Sequence, residues 1–364
     1  MTNFQKIISL LFFACTSVVA EKDIVPLPNH SFEYSSARSD YGRETVTSNK
    51  PYQGIIIDTH AHYDPGRINE SDFGIFDKLF ESNNIKYVFI MPIPNEGIYL
   101  KGKNKSNDFG EYERNLLLEN NSRIKLLCSS NYISNWLHES YRDGWYLSLN
   151  SRLKRLQKDI DNNDCLGVGE IATYHFNKAP PSKKPQHIIN YPVNYKPFLD
   201  FVEIAVKNDA YIDLHIEPVT RLGKSYEGTY FSGLELLYKK YPSLKLILAH
   251  TGMTNVENAE KILNQYPNIM MSLKLIKKPS KRWINIESIN NDDYKVFKNW
   301  ANLIQRMPER FVIGSDAKFG RNGKKGFGRY EEVIENYRYF LGALSKDDAE
   351  LIAYKNAIRM YKLD

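Results

Sequence analysis

Six side chains of this 364-residue chain are of the types that hold a divalent cation: His60, His62, Glu170, His215, His250 and Asp316. Each closes a short apolar run. His60 and His62 are spaced i, i+2, so on an extended strand both rings project from one face. Two imidazoles with carboxylates nearby suit a borderline cation such as Zn²⁺, or Mn²⁺, Ni²⁺ or Fe²⁺. Glu170 has two oxygens and could bridge two cations, one held by His60, His62 and Asp316, the other by His215 and His250. Cations paired in this way acidify a shared water and polarise a substrate oxygen. A His-x-His or a single strand-end histidine is commonly structural when it stands alone. The conjunction at five strand ends is what points to a metal centre.

The elements that must position these groups repeat one pattern. Apolar, β-branched runs at Ile55–Asp58, Tyr87–Met91, Ile124–Cys128, Cys165–Ile171, Tyr211–His215, Leu244–His250, Ile269–Leu273 and Phe311–Asp316 read as strands. Between them, Phe73–Glu81, Leu147–Ile160, Tyr195–Lys207 and Val256–Tyr266 carry helical spacing. Eight strands alternating with helices predict a single (β/α)₈ TIM barrel, an α/β fold whose catalytic groups come from the C-terminal strand ends. No glycine-rich phosphate fingerprint follows the first strand, which disfavours a dinucleotide fold. Asp58 is expected to share a face with His60 and orient it. His175, five residues after Glu170, can reach the mouth, whereas His30, His138 and His187 are expected at the surface.

These motifs resemble the amidohydrolase superfamily, in particular its amidohydrolase-related branch. The carriers are Ile57-Asp58-Thr59-His60-Ala61-His62, Leu248-Ala249-His250-Thr251-Gly252, Ile313-Gly314-Ser315-Asp316 and the closing stretch Leu344–Asp348 through Asn356–Arg359, so the likeness spans roughly 54–364. It implies that His60, His62, His215 and Asp316 ligate metal and that Asp316 also moves a proton. Glu170 resembles the bridging carboxylate of TatD-type hydrolases. The resemblance therefore implies a metal-dependent hydrolase of an ester, lactone, amide or phosphoester, with Asp316 and His250 as catalytic groups. The same branch holds mononuclear decarboxylases, in which the strand-six histidine acts beside the metal, so a lyase is the alternative.

Composition bounds the rest. With 49 Lys+Arg against 43 Asp+Glu, 42% apolar and 25% charged residues, the chain is an ordinary globular one, not a dedicated nucleic-acid binder. Two stretches hold cations without acids: Lys274, Lys277, Lys278, Lys281 and Arg282, then Lys318, Arg321, Lys324, Lys325 and Arg329. Both are expected to be loops at the mouth, the second made pliable by glycines. Lys274, Lys318, Arg321 and His175 are the candidates for holding an anionic small-molecule substrate. Lys6, the apolar run from Ile7 and the small Val18 and Ala20 have the order of a signal peptide over residues 1–20, with lipid attachment at Cys15 as the competing use. No run is long enough to span a bilayer. Export with cleavage after Ala20 is the expectation, followed by a polar arm over 21–52 and the barrel over 53–364. Cys128 and Cys165 lie in apolar runs and read as buried thiols.

Overall fold

Eight parallel strands close on themselves in the computed structural model, which describes residues 23–28, 45–48, 50–63, 72–94, 111–144, 148–175, 189–219, 225–276, 284–290, 293–319 and 324–364. The strands are β1 (Ile56–Tyr63), β2 (Ile85–Met91), β3 (Ile124–Ser129), β4 (Gly167–Ala172), β5 (Tyr211–His215), β6 (Lys245–Leu248), β7 (Ile269–Leu273) and β8 (Phe311–Ile313). They pair in chain order, and Ile313 against Asp58 closes the ring. This is the predicted (β/α)₈ barrel. The expected signal segment with Cys15, and His30, His187, Lys277, Lys278, Lys281, Arg282 and Arg321, lie outside the described residues.

A parallel barrel buries both faces of its strands, which is why they are apolar almost throughout. Outward residues such as Ile56, Val88 and Ile90 pack against helices. The first helix, α1 (Phe73–Ser82), turns Phe73, Phe76, Leu79 and Phe80 inward at helical spacing, each such burial contributing about 1.5–3 kcal/mol. The interior holds a second cluster of Ile57, Phe89, Met91, Leu127, Ile247, Met270 and Val312. Ala357, Met360 and Tyr361 of the C-terminal helix Asn356–Tyr361 plug it, with the Tyr361 ring 4.2 Å from that of Phe89.

Several expectations change. β1 runs through both histidines, as their shared face requires, and on to Tyr63. β6 ends at Leu248, and residues 249–253 form a tight turn with positive φ at His250, Thr251 and Gly252. β8 breaks after Ile313 and resumes as Ala317–Phe319, again beside β1. The second basic stretch is not a loop for most of its length: a helix, α2, spans Lys324–Gly342. Glycines at 326 and 328 had suggested otherwise, but Tyr330, Ile334, Tyr337 and Phe340 are fully buried at helical spacing. The connection after β7 carries strands Leu275–Ile276 and Ile284–Asn290, which join Asp293–Phe297 and Thr45–Ser48 of the arm in a four-stranded sheet. Another piece of the arm meets the barrel where Val25 donates to the Asn194 carbonyl at 3.0 Å. His138, expected at the surface, is buried at 8% exposure in the helix Ser130–Asp143.

Cys128 and Cys165 form a disulfide, not two thiols. They come from β3 and the lead-in to β4, adjacent strands whose cysteine Cα atoms lie 5.8 Å apart, inside the bridging range of roughly 4.4–6.8 Å. Loop closure of this kind stabilises a fold by about 2–4 kcal/mol. Denatured, unreduced protein should therefore take up no alkylating label at either residue, and reduction should lower the melting temperature. Labelling of both cysteines before reduction would show the bond absent.

Candidate metal centre

Glu170 lies on β4, 5% exposed, and four histidines surround it. Its Oε1 lies 2.7 Å from His215 Nδ1, 3.7 Å from His250 Nε2 and 3.8 Å from His60 Nε2, while Oε2 lies 3.5 Å from His62 Nε2. Asp316 closes the ring, with Oδ1 3.2 Å from His62 Nε2 and Oδ2 4.0 Å from His250 Nε2. All six residues singled out from the sequence thus converge. Three overlapping sets have ligand atoms mutually within 4.8 Å: His60, His62 and Glu170; His60, His250 and Asp316; and Glu170, His215 and His250.

Local backbone geometry makes this convergence possible. Between Asp58 and Ala61 the register of β1 against β2 shifts by one residue. Such a bulge re-aims side chains, and here it separates Asp58 from the histidines. Asp58 does not orient the His60 ring. It accepts hydrogen bonds from Ser315 N at 3.0 Å, Ser315 Oγ at 2.6 Å and the His60 backbone N–H at 3.2 Å, and its charge bears on Tyr330 and Tyr337 of α2. The ring's partner is Asp213, whose Oδ2 lies 2.9 Å from His60 Nδ1. Gly169 allows this: with φ +153, a Cβ there would stand 2.6 Å from the Asp213 Cβ. Gly314 likewise lets β8 approach, since a Cβ would meet that of Ser272 at 2.8 Å and that of His60 at 3.1 Å. His250 and Asp316 both hold left-handed backbone (φ 56 and 53), which costs roughly 1–2 kcal/mol each in non-glycine residues.

The electrostatics ask for positive charge. Burial opposes the charged ring of His60, yet Asp213, Glu170 and Asp316 together raise its pKa to about 9. His215 is likewise lifted to about 9, against burial, by Glu170 and Glu217. Burial pushes Glu170 up, but His215, His60 and His62 hold it well below the usual carboxylate range. Asp316 is also held low against burial, by Lys274 and Lys318. The Lys274 ammonium contacts Asp316 directly, and the Lys318 Nζ stands 3.8 Å from it. Burial and Lys274 keep His250 neutral, its pKa well below the ordinary value. Protons and an ammonium thus supply the positive charge that a divalent cation would bring. His60 Nε2 is buried with no hydrogen-bond partner, as a vacant ligand atom would be. The donor set therefore fits a divalent metal.

Of the substrate candidates, Lys318 and His175 line a cavity of about 40 Å³ with Glu170, His215, His250 and Asp316. Lys274 stands against Asp316. Two carboxylates that meet the histidines of the cluster were not singled out from the sequence, Asp213 and Glu217. Both share the i, i+2 parity of His215, so all three side chains of Asp213-x-His215-x-Glu217 fall on one face.

No protein-family model and no curated protein matches the chain. Solved structures do resemble it. One is a 2,6-dihydroxybenzoate decarboxylase complexed with 2,6-dihydroxybenzoate, at 12% identity and TM-score 0.47, covering 85% of this chain and 100% of that one. Another is a probable 2-pyrone-4,6-dicarboxylic acid hydrolase from Acinetobacter baumannii with citric acid bound, at 12% and 0.47, covering 85% and 99%. A third is a TatD homolog from Escherichia coli, at 12% and 0.49, covering 85% and 98%. At such identities these are likenesses of chain fold.

Asp213→Asn keeps the shape but weakens the carboxylate partner of His60. Loss of such an outer partner typically costs 10–100-fold in metal affinity. Competition with a calibrated chelator should show that loss, with circular dichroism unchanged; wild-type affinity in the variant would refute the role given to Asp213.

Proposed function

We propose that the protein is a metal-dependent hydrolase of amidohydrolase type, holding two divalent cations and acting on an ester, lactone, amide or phosphoester of an anionic small molecule. The observation that carries this reading is the position of Glu170. Its Oε1 faces His215 and His250, with His60 at 3.8 Å, and its Oε2 faces His62, so the carboxylate stands between the two histidine sets that would each hold a cation. His60, His62 and Asp316 would hold one cation, and His215 and His250 the other. Zinc is the first choice by donor type, with Mn, Ni or Fe compatible. Bound there, the cations would supply Lewis acidity and an acidified water.

The side chains divide the remaining work. Asp316 stays ionised because Lys274 and Lys318 face it, so it can take a proton from the attacking water and pass it to the leaving group. His250, kept neutral, offers a lone pair toward a cation or an N–H toward a substrate oxygen. Lys318, at the cavity wall, is placed to meet an anionic substituent. A mononuclear lyase is the second reading.

Export is part of the same proposal. A Cys128–Cys165 disulfide suits an oxidising compartment, which supports cleavage after Ala20 or, alternatively, anchoring through Cys15.

Metal analysis of the purified protein, run with ester, lactone and phosphoester substrates, tests the reading. At least two cations per chain, with hydrolysis lost on chelation and regained on reloading, is the expected result; full turnover without metal would end it, and one cation with carbon dioxide release would favour the lyase. Asp316→Asn should lower kcat by about 10²–10⁴-fold while the fold persists. For an anionic substrate, kcat/KM should fall as salt rises, and Lys318→Ala should lower it and flatten that dependence. A neutral analogue should respond to neither change.

A further inference from the structure

Beside the inner cluster lies a second group of ligand-type atoms. His175 Nδ1, His215 Nε2 and Glu217 Oε1 form a triangle with edges of 2.9 Å between the nitrogens, 2.9 Å from His175 to Glu217 and 3.2 Å from His215 to Glu217. His215 turns its other nitrogen, Nδ1, to Glu170. His175 belongs to a short two-stranded pairing, Tyr174–His175 with Ile189–Asn190, that follows β4. Its side chain is 21% exposed, against 4% for His215 and 3% for Glu217, so the group opens on the solvent side.

Hydrogen bonds alone do not satisfy this triangle. If both nitrogens carry hydrogen, two donors confront each other across 2.9 Å. If only one does, the lone pair of the other ring faces the Glu217 carboxylate oxygen. With Glu217 as a carboxylate, every placement of protons sets like against like along at least one edge. A cation resolves the conflict because all three atoms then present lone pairs to it. Donors at ~2.0–2.1 Å from a tetrahedral cation stand about 3.3 Å apart, close to the edges found. Two histidines and a glutamate are also a known three-ligand set that leaves a fourth position open.

We infer that His175, His215 and Glu217 form an outer site for a divalent borderline cation such as Zn²⁺ or Co²⁺, additional to the inner centre and sharing only His215 with it. When both sites are filled, the His215 ring binds through both nitrogens and its N–H proton passes to solvent. The outer cation is therefore the last to load and the first to leave.

Chelator-stripped full-length protein titrated with Co²⁺, followed by visible absorption and by metal analysis after desalting, tests this. Wild type should bind one equivalent more than His175→Ala, and that equivalent should be the first removed by chelator. A His60→Ala/His62→Ala protein, which loses one inner cation, should bind two Co²⁺ and lose one of them when His175→Ala is added. Equal stoichiometry and affinity in wild type and His175→Ala, with the inner cations present, would overturn the outer site alone and leave the triangle as a brace on His215. Absence of Co²⁺ from wild type and variant alike would overturn the inner reading with it. His175 is partly exposed, so its variant should fold even if the double variant does not, and that comparison alone decides.

Discussion

A carboxylate buried at the centre of four imidazoles is the constraint around which this barrel is arranged. Taking Glu170 out of water would cost several kcal/mol if it stood alone, and its ionised form persists only because His215, His60 and His62 face it. Each of those rings needs fixing in turn. Asp213 holds His60 from below, Glu217 faces the far nitrogen of His215, and Asp316 meets His62. Positive and negative groups alternate outward from Glu170 through two shells, ending in the ammonium groups of Lys274 and Lys318. Removing one member leaves its neighbour as a buried unpaired charge.

Such a lattice of charges tolerates little backbone freedom, and the strands show how it is held. β1 and β8 are joined side to side by Asp58 and Ser315, and the Asp316 N–H donates to the His60 carbonyl at 2.8 Å. The Tyr337 hydroxyl of α2 bridges the carbonyls of Leu273 and Gly314 at 2.6 and 2.8 Å, tying β7 to β8. These contacts lie outside the mouth and fix its rim. They also explain how Asp316 keeps left-handed backbone, since neighbouring bonds over-determine it; at His250 the backbone N–H donates to Ser272 Oγ at 3.2 Å.

The architecture was legible because strands buried on both faces must be apolar, and the runs from Tyr211 and Ile269 coincide with strands to the residue. The six inner donors were legible because period-two spacing at strand ends aims side chains into the mouth. Parity failed where the backbone departs from it: the bulge after Asp58 turned a supposed partner of His60 to the outer face, and Asp213 took the part. Asp213 and Glu217 obeyed parity and were passed over, because a single acid beside a histidine carries little signal until the facing strand is known. The Cys128–Cys165 pairing depends on strand adjacency, which spacing along the chain does not encode. Lys324–Gly342 misled for a compositional reason: its glycines and cations mask a buried stripe that begins only at Tyr330.

The two sides of the mouth differ in a way that bears on what can bind. Lys274 and Lys318 belong to the β7–β8 side and face Asp316, whereas His175 and Glu217 belong to the β4–β5 side and face His215. A small anion approaching the centre meets ammonium groups on one flank and imidazoles with a carboxylate on the other. On the first flank Lys274 is engaged by Asp316, and Lys318, 35% exposed, is the ammonium turned toward solvent; the second flank attracts negative charge only with a cation or protons in place. For the hydrolase proposed above, a substrate carrying its anionic group on one side of the reacting bond would be oriented with that group toward Lys318, leaving the reacting bond on the side of Glu170 and Asp316. The asymmetry of charge, rather than the small volume of the cavity, is what gives the site a direction.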